Sequence, residues 1–160
     1  MAEGDFETCI PRLRRLALCL YCNITEGDEA VVIALGNLSN KIMSKGNDEV
    51  TIKFLFSEIV SIASDAFEGA RTKIKVNLAD MSCGLNLENN EAVILAVSEL
   101  DFTERSVIAL HILERINESD TAVLLQKPLP RVMESIRSAR SHLSQQVTSP
   151  SITPQTALHL

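Results

Sequence analysis

The sequence has no tryptophan, one tyrosine and five phenylalanines. A core built on aromatic rings is therefore excluded, and the apolar volume must come from Leu, Ile, Val and Ala. Glycine and proline are also scarce, at six and five. That leaves little turn chemistry for a β-rich fold and favours helices. No apolar run approaches the roughly 20 residues of a membrane-spanning helix. The first residues are acidic and show no signal-peptide pattern, so a cytoplasmic protein without membrane contact is expected. Also missing are a phosphate-binding glycine loop, a nucleophile elbow, a zincin helix and a dinucleotide fingerprint. Nothing groups a nucleophile, a base and an orienting residue in recognisable form. The expectation is a protein that is not an enzyme and needs no cofactor.

What is present is an ordinary globular composition over 160 residues with a net charge of −6. That length suits one domain or two small ones. The net charge gives little help against nucleic-acid phosphate. Charge is unevenly placed. Glu3, Asp5, Glu7, Glu26, Asp28 and Glu29 outweigh Arg12, Arg14 and Arg15 in the first forty residues. Between Leu129 and Leu143, Arg131, Arg137 and Arg140 face only Glu134. An acidic molecule with one small basic helix suits a protein partner better than a DNA track.

Four cysteines occur, Cys9, Cys19, Cys22 and Cys83, and cytosolic conditions keep them reduced. Cys19-Leu-Tyr-Cys22 lies inside an expected helix with no second pair following. A zinc site would need Cys9, Cys83 or a distant histidine to complete it, so no metal is expected. Small buried apolar side chains near a helix end are the ordinary explanation.

Periodicity places the helices. The first spans about Phe6 to Cys22, with Ile10, Leu13, Leu16, Ala17 and Leu20 as its stripe; Pro11 argues for a start near Ile10. Thr25-x-x-Asp28 resembles a capping box for the second, where Val31, Ala34, Leu35 and Leu38 recur at i, i+3, i+4 and i+7. Ser39 to Asn47 reads as a polar hinge. A third helix covers Asp48 to Ala66, with Ile52, Leu55, Ile59, Ile62 and Ala63 inward and Phe54 and Phe56 in the core. Residues 67–90 lose periodicity and read as a linker, although Arg71 to Val76 alternates like a strand. Glu91–Leu100 and Glu104–Arg115 are the next helices, the latter capped by Asp101 or Thr103. His111 reads as a surface or partly buried side chain.

Ile116–Leu143 then reads as a helix-turn-helix. Asn117 or Ser119 caps its first helix, and Lys127-Pro128-Leu129-Pro130 ends it. Its second helix carries Leu129, Val132, Met133, Ile136, Ala139 and Leu143 on one stripe. Residues 145–160, rich in Ser, Thr, Pro and Gln, read as a disordered tail.

Glu104-Arg105, Leu110, Asp120-Thr121-Ala122-x-x-Leu125, Arg131-Val132 and Arg137-Ser138-Ala139-Arg140-x-x-Leu143 resemble region 4 of extracytoplasmic-function sigma factors. Arg14-Arg15-Leu16-Ala17-x-x-Leu20 with Gly27-Asp28-x-x-Val31-x-x-x-Leu35-x-x-Leu38 resembles region 2. The pattern is more closely similar to the sigma-like domain of PhyR-type stress regulators, which work in two-component signalling. The Gln-Glu that sigma factors present to promoter and polymerase is missing here. No receiver-like acidic start follows Leu143, so phosphorylation control is not expected in these residues.

The resemblance implies an all-α protein of two small helical sub-domains: a region 2-like unit over 1–66, a linker over 67–90 and a region 4-like unit over 91–144. It implies a sigma mimic, or anti-anti-sigma, that sequesters a small helical anti-sigma factor. The contact residues expected are Arg14, Arg15, Asp28, Val31 and Leu35 in the first half, and Val132, Glu134, Ile136 and Arg137 in the second. For Val31, Leu35, Val132 and Ile136, plain core packing is an equal explanation. The alternative is a degenerate sigma factor that touches promoter DNA through Arg131, Arg137 and Arg140.

Overall fold

Leu13, Leu16, Ala17 and Leu20 recur at helical spacing, and all four are fully buried. They belong to the central helix of a computed structural model that describes residues 3–45, 52–67 and 91–148. Seven α-helices and one π-helical segment make up the described residues, with no strand among them. The described residues are all-α.

Helix α1 spans Glu3–Tyr21 and carries Pro11 inside it, so the expected start near Ile10 is corrected. An interior proline costs ~3 kcal/mol, and each leucine buried on this helix returns ~1.5–3 kcal/mol. Cys22 then takes a left-handed φ of 50°, its N–H bonded to the Leu18 carbonyl at 2.8 Å. Helix α2, Ile24–Lys45, is capped by Asn23, whose side-chain oxygen accepts the Glu26 N–H at 3.1 Å. The Thr25–Asp28 box is not the cap, because Asp28 is drawn to Arg14. A Cβ on Gly27 would lie 3.3 Å from the Ala17 carbonyl carbon, so α1 and α2 cross closely there. The expected hinge at Ser39 is helical through Lys45. Leu38, buried, and Ile42, packed on the core, keep the helix seated past the polar residues.

Helix α3 covers Ile52–Phe67, with Leu55, Phe56, Ile59, Val60 and Ala63 buried. Phe54 packs against the core and takes the Lys41 ammonium 3.8 Å from its ring centroid. Phe67 closes the helix between Tyr21 and Phe102, at 5.3 and 5.7 Å. The expected linker beyond it, with its strand-like Arg71–Val76, lies outside the described residues.

Helix α4 is Glu91–Ser98. Helix α5, Phe102–Val107, opens on a capping box: Asp101 accepts the Glu104 N–H, and the Glu104 side chain accepts the Asp101 N–H. The helix expected to run on to Arg115 instead changes to a π-helix over Ile108–Leu113. Asn117 caps α6, Glu118–Leu124, as one of the two expected candidates. Gln126 takes a left-handed φ of 51°, and α7 follows over Leu129–Thr148. The beginning of the segment expected as a tail is therefore helical, and residues 149–160 lie outside the described residues.

One aliphatic cluster runs from Leu13, Ala34 and Ile59 in the first three helices to Leu110 in the π-helix, Ile116 in the turn after it and Ala139 in α7. A smaller cluster of Val107, Ala122, Val132 and Ile136 sits inside the helix-turn-helix.

Candidate partner-binding site

Helix α1 presents a second face. Arg12, Arg15 and Cys19 lie at i, i+3 and i+7, on one side of a 3.6-residue helix, and all three meet the C-terminal half. Glu114, at the end of the π-helix, has a fully buried carboxylate. Arg12 donates to one of its oxygens from Nε at 2.7 Å. Arg15 donates to the other from Nε and Nη2, at 2.9 and 2.7 Å. The Arg12 guanidinium also lies 5.4 Å over the Phe56 ring. Further along, Cys19 Sγ lies 3.9 Å from the Arg105 carbonyl.

A second ionic bridge joins the halves. Lys53 on α3 donates to Asp120 on α6 at 2.6 Å. That hydrogen bond, with help from Asn117, holds the Asp120 carboxyl below its usual value. Between α3 and α5 lies a groove of about 240 Å³. Ser57, Ser61 and Ser64 line one wall from α3, and Thr103 and Ser106 line the other from α5. Leu124, Leu125, Gln126 and Lys127 close the end. Side chains this small let a helix approach closely, and their hydroxyls can bond its polar groups.

The sequence-derived contact residues fall into three groups. Arg14 and Asp28 meet in a two-pronged pair, both bonds 2.7 Å, on the exposed side of α1 and α2. The bond to Asp28 raises the Arg14 pKa further. Arg15, expected beside them, points instead to Glu114. Val31, Val132 and Ile136 are buried, and Leu35 is half-buried against the core. They are packing residues in this conformation, because their helices turn those faces inward. Glu134 and Arg131 are exposed and bond each other at 3.1 Å. Arg137 and Arg140 stand exposed on α7. Exposed apolar residues flank them: Val123 on α6 and Leu129 and Met133 on α7.

Several residues of this region escape a reading by periodicity. Glu114 falls four residues past Leu110, on what looks like an apolar stripe, and a carboxylate there is the one available signal. Arg105 is buried, bonded through Nη1 to the Leu100 carbonyl at 2.7 Å and stacked 5.3 Å over Phe67. Its Nε finds no partner among the described residues, and burial lowers its pKa. Glu104 accepts from Ser138 Oγ at 2.6 Å and faces His142 Nδ1 at 3.3 Å, tying α5 to α7. His111, half-buried as expected, donates from Nδ1 to the Ile116 carbonyl at 2.8 Å.

Burial pushes the Cys19 thiol up to about 12 and the Cys22 thiol up to about 11. Reactive cysteines need the opposite shift. Among the described residues, no three His, Cys, Asp or Glu side chains are grouped to hold a metal ion. No described helix is long and apolar enough to cross a membrane. No protein-family model matches the chain, and no curated protein matches it.

Proposed function

We propose that the protein is a sigma-factor mimic that sequesters a small helical anti-sigma protein in a bacterial stress response. The observation that carries this reading is the groove between α3 and the α5–α6 wall. A helical partner docks by side chains at i, i+3 and i+4, and this groove offers hydroxyl-bearing walls with the Asp65 carboxylate, and Val60, Phe102 and Leu125 among its apolar residues, to such an anchor side chain. The resemblance to sigma regions 2 and 4 supplies the partner's class. In this reading exposed groups outside the groove, namely the Arg14–Asp28 pair, Glu134 and Arg137, add further contacts. Buried Val31, Val132 and Ile136 and half-buried Leu35 shape the faces from behind. The exposed Arg137 and Arg140 favour the second reading, a degenerate sigma factor that touches DNA through α7 together with Arg131.

The test is a titration against a helical anti-sigma segment, beside a promoter duplex at two salt concentrations. The mimic binds the segment and leaves the duplex free. Duplex binding that weakens steeply with salt supports the degenerate sigma factor instead. Binding of neither overturns both. Arg137→Glu reverses an exposed charge, so it weakens segment binding on the order of tenfold, with the circular dichroism spectrum unchanged.

A further inference from the structure

One strip of the contact between α1 and the C-terminal half differs in kind from the aliphatic core that also crosses it. It contains the buried Glu114 carboxylate, two half-exposed guanidinium groups, a thiol against a carbonyl and the backbone around buried Arg105. A buried ion pair recovers little net stability, since its desolvation offsets most of its attraction. Parting such a strip also returns Arg12 and Arg15 to water at small cost, because they are already 40% and 50% exposed. Meanwhile each half keeps contacts of its own. The first has the Ala17–Gly27 crossing and the Arg14–Asp28 pair. The second has the Val107, Ala122, Val132 and Ile136 cluster and the Glu104–Ser138 bond.

The π-helix serves this strip. The Glu114 N–H bonds to the Ala109 carbonyl at 3.1 Å, and the Ile116 N–H to the Leu110 carbonyl at 3.0 Å. The first is an i→i−5 bond, which sets Glu114 in register with Ala109 instead of Leu110. π-segments cost hydrogen-bond quality and persist where a side chain has to be re-aimed. Arg115 follows with a left-handed φ of 56°, so the chain turns away as soon as the carboxylate is placed.

We propose that Arg12, Glu114 and Arg15 form a latch whose release opens the strip between α1 and the end of the π-helix, Cys19 included, while the aliphatic core stays packed. Protein segments open sub-globally at lower free energy than the whole unfolds, and a polar strip beside an aliphatic core is where that happens first. Neither Glu114 nor the arginines act on a ligand here, and the proposal does not depend on which partner the protein binds.

Cys19 is a native reporter of this opening, as it is buried at the strip. The experiment is iodoacetamide labelling of the full chain across a urea series, with Cys19 resolved by fragment-ion mass spectrometry and global unfolding followed by circular dichroism. Glu114→Gln keeps the shape and removes the charge. It raises Cys19 labelling on the order of 10–100-fold at low urea, with a urea slope well below that of global unfolding. Arg12→Gln with Arg15→Gln leaves the carboxylate buried without a cation, and raises labelling further. Arg15→Gln alone, a half-exposed change, gives a smaller rise and serves if the others fail to fold. Unchanged labelling in the folding variants overturns the latch. So does a rise with the same urea slope as global unfolding, which would make the cluster a contributor to overall stability only.

Discussion

The interior of α1–α3 and the strip beside it are built from opposite materials on the same helix. On one side of α1, Leu13, Ala17 and Leu20 enter a continuous aliphatic core. On the other side, Arg12 and Arg15 meet a buried carboxylate. Aliphatic packing is indifferent to direction and adds up with area, whereas a buried carboxylate is stable only while its partners are in place. The difference explains how one helix can be fixed along one face and only latched along another.

The comparison is broken most severely from the aliphatic side. Leu16→Ala removes a side chain with no exposure and should lower unfolding stability by about 2–5 kcal/mol, measured by urea denaturation. Next comes a change that converts the strip into core. Replacing Arg12 and Arg15 with Met and Glu114 with Leu together should be neutral or stabilising by about 1–4 kcal/mol, with Cys19 labelling suppressed. A large loss of stability in that triple variant would show that the ionic cluster outperforms apolar packing here.

A smaller effect comes from pH. The folded protein favours the neutral thiols of Cys19 and Cys22, because burial raises both. Their contribution is fully present below the ordinary value of 9.0 and is lost as pH rises toward about 11 for Cys22 and about 12 for Cys19. Burial raises the Tyr21 phenol as well, which adds to the loss in the alkaline range. Unfolding followed between pH 8 and 11 should show falling stability, less steeply in Cys19→Ala. The smallest effect belongs to Asp120, whose pKa lies below 3.8 through its bond to Lys53. Its contribution is present above 3.8 and is lost as pH falls through the lower folded value. Asp120→Asn should remove that acid-side slope, detectable as a flatter stability profile below pH 5.

How much of this was legible depended on whether one face of a helix carried one kind of side chain. Leu55, Ile59 and Ala63 recur cleanly, and the third helix covers them, although its expected first residues, 48–51, lie outside the described residues. Asn117 and Asp101 are short polar side chains ahead of apolar runs, and both cap. Ser39 and Asn40 look like a hinge to a reader of composition, because the buried Leu38 and the packed Ile42 that carry the helix onward are sparse. The π-segment was invisible, since Ile108–Leu113 is apolar on all sides and supports any helical register. Arg15 was expected on an outer face beside Arg14, and nothing local reveals that a carboxylate 99 positions later would claim it. Val132 and Ile136 satisfy core and docking explanations equally in sequence, and only the fold shows which way α7 faces.

A π-segment is an α-helix holding one residue more than its hydrogen bonds need. Among homologous chains such a residue surfaces as a single-position insertion, with nothing unusual in its chemistry. Its removal would restore ordinary helix and swing everything beyond it by about 100°. In a family of such proteins, a one-residue gap within 108–113 would therefore tell more about whether Glu114 meets α1 than any substitution at the arginines themselves.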